Sequence, residues 1–272
     1  MTEGHWSRMA RLWHLVGPPL RPAEDDLAVF QNSIDRWCAT NTRAPRALIL
    51  GVTPELYRLN WPASTVTTAL DSAREMIDEV WPGPAATALQ GSWTAMPLAT
   101  SSRDIVVCDG GLGTLAYPCR QADLMRELHR ILAPGGIFVV RLFAPTGRTG
   151  TVKDVFARLN AGHIGSLDSL KLQLWGALHG DARKGVRPRD VVALILGAVD
   201  SYDRLAEAQG WPIEHVSSLE LHRSSNTVYH LTEAEEVIRM ASDDPGGFEC
   251  LEIVEPNYAL GACCPIVTLR RC

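Results

Sequence analysis

From residue 46 onward, short apolar runs alternate with stretches whose apolar residues recur at helical spacing. The runs at 47–51, 65–70, 104–108 and 136–142 are short and bounded by turn residues, which predicts buried strands. Residues 72–80 and 120–132 carry the helical spacing, and the second stretch stops at Pro134-Gly135-Gly136. A further short strand is expected just before Gln90. This β-α-β-α order predicts an α/β chain built on a parallel sheet with crossover helices.

The flanking segments follow other patterns. Residues 24–38 form an amphipathic helix, with Asp25 and Asp26 in the first turn and Leu27, Phe30, Ile34 and Trp37 at helical spacing. Before it lie Trp6, Trp13, His14 and a Gly17-Pro18-Pro19 turn. Residues 152–159, 167–178, 188–209 and 233–240 all read as helices, so a helical block interrupts the α/β rhythm late in the chain. Residues 248–254 and 265–269 return to strand-like alternation and are expected to close the sheet as an antiparallel pair. The division expected is a helical cap over 1–42, an α/β core over 43–145, a helical lid over 146–243, and core-completing strands over 244–272.

Composition narrows the function classes. With 46% hydrophobic and 21% charged residues, the chain can bury a full core. A formal charge of -5 argues against a sequence-independent grip on nucleic acid, which needs a face of Lys and Arg. The opening residues are polar and no apolar run would span a bilayer, so a cytoplasmic protein with no membrane partner is expected. Seven cysteines without a CxxC pair suggest neither a zinc site nor a disulfide framework. No metal is expected.

Open parallel sheets bind ligands beyond the carboxyl ends of their strands, so the residues leaving each strand carry the chemistry. After the first strand, Gly51 permits a tight turn, and Thr53 is expected to cap a helix that Pro54 starts. After the second comes Asp71, twenty positions beyond Gly51, the spacing at which a carboxylate reaches a ribose diol. Asp71 can equally cap a helix beginning at Ser72. After the third comes Gly91-Ser92-Trp93, where Trp93 either faces an adenine ring or packs as core. After the fourth, the glycines of Asp109-Gly110-Gly111 allow close backbone approach.

These loops, with the helix and turn of Leu128 to Val140, resemble class I methyltransferases that use S-adenosylmethionine (SAM). The resemblance covers about 46–143 plus the two terminal strands. It implies a Rossmann-like, mostly parallel seven-stranded sheet with an antiparallel C-terminal strand. It also implies SAM as cofactor, Asp71 on the ribose with Ser72 and Met76 following, Ser92 and Trp93 on the adenine side, and Asp109, Gly110 and Gly111 at the loop after strand four. The first loop departs from the family, which has an acid two positions before a GxGxG run. Here Ile49, Gly51, Thr53 and Glu55 stand instead. Glu55 is the expected replacement carboxylate for the methionine ammonium, so that Glu55→Ala should weaken SAM binding. Thr53 also disfavours NAD, whose pyrophosphate needs a glycine there, whereas SAM has no phosphate.

Methyl transfer from a sulfonium asks chiefly for alignment, with a base only when the acceptor must lose a proton. His5, His14, His163, His179, His222 and His230 are candidate bases, with Tyr202 and Tyr229 as orienting hydroxyls. Of these, His14, His163, His179 and Tyr229 are singled out. Trp175 and His179 share a helix face four residues apart. The leading reading is methylation of a small-molecule acceptor. A protein that holds SAM or another nucleoside without transferring a methyl group is the alternative, and a macromolecular methyltransferase a third. A homodimer through the cap helices is compatible with the sequence.

Overall fold

The computed structural model describes residues 5–145, 150–199, 201–243 and 247–272. Among these, β1 (Arg46–Leu50), β2 (Val66–Asp71), β3 (Ala88–Gln90), β4 (Arg103–Asp109), β5 (Leu132–Arg141), β6 (Phe248–Val254) and β7 (Ile266–Arg271) form one sheet. Its order is β3-β2-β1-β4-β5-β7-β6. Neighbours from β3 to β5 are parallel, and β7 runs antiparallel to both β5 and β6. The expected fold class is therefore the observed one. The order reverses between β1 and β4, which opens a crevice beyond their carboxyl ends.

Both faces of the central strands are covered, which is why they read as unbroken apolar runs. Alternate side chains point to opposite faces. Leu48, Val106 and Phe138 pack with Leu124 and Leu128 of α5 (Cys119–Ile131) and Val237 of α12 (Ala234–Asp243). Ile49, Val107 and Val139 pack with Phe30 and Ile34 of α2 (Glu24–Ala39) and Met76 of α4 (Arg74–Val80). The helix α12 thus belongs to the sheet's own layers, although the expected lid boundary at 243 included it.

The lid has its own core. Val155, Leu170, Leu174, Val191, Ile195, Leu205 and Val216 bring together α6 (Val152–Asn160), α7 (Leu167–Leu178), α8 (Pro188–Ala198), α9 (Tyr202–Gln209) and α10 (Ile213–Ser217). The single helix expected over 188–209 is two. Ser201 breaks it, its hydroxyl capping α9 by accepting from the Arg204 N–H at 3.2 Å. A one-turn helix, α11 (Glu220–Arg223), follows α10. At the other end, α1 (His5–Arg11) packs against α4 and touches α11, so the cap bridges core and lid.

Two local expectations need correction. The helix after Thr53, α3 (Pro54–Tyr57), is a single turn, and the Thr53 side chain makes no capping hydrogen bond. Asp71 does not cap a helix from Ser72, because α4 starts at Arg74. Its Oδ1 accepts instead from the Ala73 N–H at 2.8 Å. No helix among the described residues is long and apolar enough to cross a membrane.

Charged groups fasten the sheet at both ends. At the amino end of β4, Asp104 accepts from Arg43 and Arg46, which hold its carboxyl well below the usual range. At the carboxyl end, Arg141 is fully buried. Its Nε donates to Asp109 at 2.5 Å and its Nη1 to the Pro19 carbonyl at 2.8 Å, with Asp26 of α2 at 3.3 Å. The Tyr258 hydroxyl completes the group by donating to Asp26 at 3.1 Å. Removing one partner of a buried ion group leaves uncompensated charge. Arg141→Met should therefore lower unfolding stability by about 3–5 kcal/mol, read as a fall in the urea midpoint. An unchanged midpoint would show that the two acids do not need the guanidinium.

Candidate active site

The sheet's carboxyl edge is built by four turns. Leaving β1, Gly51 has φ of +88° and donates its N–H to the Leu70 carbonyl at 2.9 Å. That left-handed conformation suits glycine and lets β1 turn away sharply. Asp71 ends β2, and burial pushes its carboxyl up to about 6. Leaving β3, Trp93 also hydrogen-bonds to Leu70, its Nε1 donating to the same carbonyl at 2.7 Å. The indole lies against Gly111, where an added Cβ would sit 2.5 Å from the ring. Beside it Gly110, with φ of +62°, is faced by Phe143, 2.6 Å from the place of a Cβ. The two glycines are thus required by two aromatic rings packed on bare backbone.

A cavity of about 740 Å³ lies over these turns. Gly51, Thr53, Asp71, Ser72, Met76, Ser92, Trp93, Asp109 and Gly111 line it. The structure thus gathers nearly all the residues expected at a nucleoside. Glu55 stands off the wall. Its Oε1 is paired with Arg21, which stacks over the Trp13 ring at 5.6 Å, and its Oε2 is buried without a partner. The acids on the wall are Asp71 and Asp109, the second positioned by Arg141.

A second cavity of about 710 Å³ opens towards the lid and shares Trp6, Trp13, Asp109, Gly111 and Thr114 with the first. Gly110, Phe143, Trp175 and Tyr229 also line it. Its polar wall comes from Lys171 of α7 and His222 of α11. Lys171 Nζ pairs with Asp168 Oδ1 at 2.6 Å, and Asp168 Oδ2 accepts from the Gly17 N–H at 2.7 Å, which fixes the cap to the lid. His5 lies between the Ser225 and Tyr229 hydroxyls, at 3.2 and 3.4 Å. Burial, reinforced by Arg8 and Lys171, pushes His5 down to about 4. Burial, then Lys171, His5 and Arg8, push His222 down to about 2. Both imidazoles are neutral at physiological pH.

The four candidate catalytic side chains separate. Tyr229 lies on the second cavity's wall, its pKa raised by burial. His14 and His163 are exposed and line neither cavity. His179 caps the end of α7, and its Nε2 accepts from the Leu231 N–H at 3.1 Å, a contact that seats the chain beside the cavity. Of the shared face of Trp175 and His179, only Trp175 reaches the cavity. Arg141 and Lys171 escaped the sequence reading. Each had a signal: Arg141 is the lone charge in an apolar run, and Asp168 with Lys171 forms an i,i+3 pair in a helix otherwise mostly apolar. Among the described residues, no group of three or more His, Cys, Asp or Glu could hold a metal ion.

Comparison with known proteins agrees with this geometry. Residues 51–140 match the family model described as "Methyltransferase domain". No curated protein matches the chain. Among solved structures, the methyltransferase CcbJ of Streptomyces caelestis is similar at a TM-score of 0.55 and 15% identity, covering 98% of this chain and 97% of that one. The N-methyltransferase NodS of Bradyrhizobium japonicum, solved with S-adenosyl-L-homocysteine (SAH), gives 0.50 and 11%, covering 99% of each. A Rhodobacter sphaeroides protein provisionally assigned to the zinc-dependent alcohol dehydrogenases gives 0.57 and 14% over the full length of both. At such identities these likenesses show the fold alone. Residues 51–140 are thus similar to a methyltransferase domain, and the whole chain shares its Rossmann-like fold with the methyltransferase CcbJ.

Proposed function

We propose that the first cavity binds SAM and that its methyl group passes to a small molecule held in the second. The observation that carries this reading is the shared wall: one chamber has Asp71 and the strand turns, the other is aromatic, and Trp6, Trp13, Asp109, Gly111 and Thr114 face both. When bound, SAM supplies an electrophilic methyl on a sulfonium. The protein's part is to hold both reactants in line and exclude water. Asp71 accepts the ribose hydroxyls, Trp93 and Ser92 bound the adenine side, and Gly51 and Gly111 keep the backbone close. Thr114 donates to the Gly111 carbonyl at 2.7 Å, which fixes the turn at the junction. Neither imidazole near the second cavity is basic enough for an efficient general base. The reaction therefore leans on alignment. The departures in the first glycine loop support the non-catalytic alternative, and transfer of radiolabelled methyl from SAM into small-molecule extract separates the two. Label in the small-molecule fraction supports transfer, whereas SAM binding without label in any fraction would leave a binding protein.

Two acids compete for the methionine ammonium. On this reading Asp109, on the wall, takes it, and Glu55 serves the cap through Arg21. Asp109→Asn keeps an acceptor for Arg141 and should weaken SAH binding about ten-fold or more, a loss of roughly 1.4 kcal/mol. Glu55→Gln should cost less than about three-fold. The reverse order in calorimetry would assign the ammonium to Glu55.

Asp71 gives the site a pH dependence. Only the carboxylate accepts both ribose hydroxyls, and its pKa in the protein is about 6. SAH affinity should therefore rise about ten-fold between pH 5 and 7. Asp71→Asn should bind weakly and lose that slope. The same raised pKa contributes the opposite sign to folding: desolvation of the carboxylate lowers stability as pH rises from about 4 through 6. An Asp71→Asn variant with full affinity and an unchanged pH profile would place the ribose elsewhere.

A further inference from the structure

The second cavity has a chemical polarity of its own. Its sides are rings: Trp13, Phe143, Trp175 and Tyr229. Trp175 stands edge-on to both neighbours, with centroids 6.1 Å from Phe143 and 4.8 Å from Tyr229. Among the described residues, the carboxylate on its wall is Asp109, at the end it shares with the cofactor chamber. Lys171 and His222 also lie on the wall. Lys171 has one acidic partner, Asp168, which also serves Gly17. His222 is buried at 5% exposure, and its Nδ1 has no hydrogen-bond partner. The indole Nε1 of Trp13, on the same wall, is likewise buried and unpartnered. Polar groups left unmatched in a dry pocket are costly until a ligand satisfies them.

We propose that the acceptor is a flat aromatic molecule bearing a carboxylate, its ring among Trp13, Trp175 and Tyr229 and its oxygens towards Lys171 and His222. This rests on the methyltransferase reading, since it names the substrate class of that reaction. Stacked and edge-on contacts favour a planar ring between the walls. An ammonium donates to one carboxylate oxygen, and the Nδ1–H tautomer of neutral His222 donates to the other. The Lys171 ammonium and the Arg8 guanidinium make the surroundings of His222 positive, which favours an anion over a neutral or cationic group.

The test uses the full-length protein, with and without saturating SAH, and three probes of one shape: 2-naphthoate, 2-naphthamide and protonated 2-naphthylmethylamine. Calorimetry should show naphthoate binding at least ten-fold tighter than the amide, with the amine weaker still. His222→Phe keeps the volume and should shrink the acid-over-amide preference to about two-fold. Lys171→Met alone would strand Asp168, so the paired variant Lys171→Met/Asp168→Asn is used, and it too should lose the preference. Both variants should keep their SAH affinity, and thermal melting confirms that each folds. Equal affinity for acid and amide, tighter binding of the amine, or full preference retained in both variants would overturn the proposal. Failure of SAH to bind would instead defeat the cofactor reading, and the probe series without SAH would still decide the acid preference.

Discussion

The structure turns on a guanidinium held in the dark between two carboxylates. Arg141 ends β5, Asp109 ends β4, and Asp26 opens α2, so one side chain joins two neighbouring strand tips to the helical cap. Its bond to the Pro19 carbonyl draws in the turn before α2 as well. Taking three charges out of water is expensive, and such a group persists only when each member is matched. What it provides is placement. Asp109 faces both cavities because Arg141 holds it there, and the cap cannot settle elsewhere without stranding Asp26.

Around that anchor, aromatic residues do the shaping that glycines do in a more open nucleotide site. Trp93 reaches from the turn after β3 across to Gly111, and Phe143 presses on Gly110. The rings need bare backbone beneath them, so the Gly110-Gly111 pair is explained by protein packing before any ligand is considered. The same indole lies beside Gly51, 3.7 Å from the place of a Cβ there, so it ties the turn after β1 to the turn after β4. The lid adds the second chamber's walls from α7 and the segment around Tyr229, and the Asp168 contact with Gly17 keeps lid and cap in register.

Much of this was legible in the sequence. The strands were readable because a parallel sheet buried on both faces must be apolar throughout, and the runs at 47–51 and 104–108 could serve few other purposes. The turn residues could be placed because strand ends put Gly51, Asp71, Trp93 and Asp109 on one edge, a consequence of topology alone. The second cavity was obscure for an equally physical reason. Its walls come from residues far apart in the chain, Trp6, Trp13, Lys171, His222 and Tyr229, and no local periodicity shows that helices α1, α7 and α11 converge. Histidine by itself carried little: His14 is on the surface, His179 holds a backbone N–H, and the buried His222 differs from them only in its surroundings. The break between α8 and α9 was missed because Ser201 looks like any serine until the chain turns there.

Two indoles from the amino-terminal segment, Trp6 and Trp13, form part of the partition between the chambers. A partition touched from both sides makes the occupants energetically interdependent: whatever shift one guest imposes on these rings changes the room and contact offered to the other. Thermodynamics requires such an influence to be mutual and equal in both directions. Ligands of the two chambers would therefore sense each other through the same pair of rings.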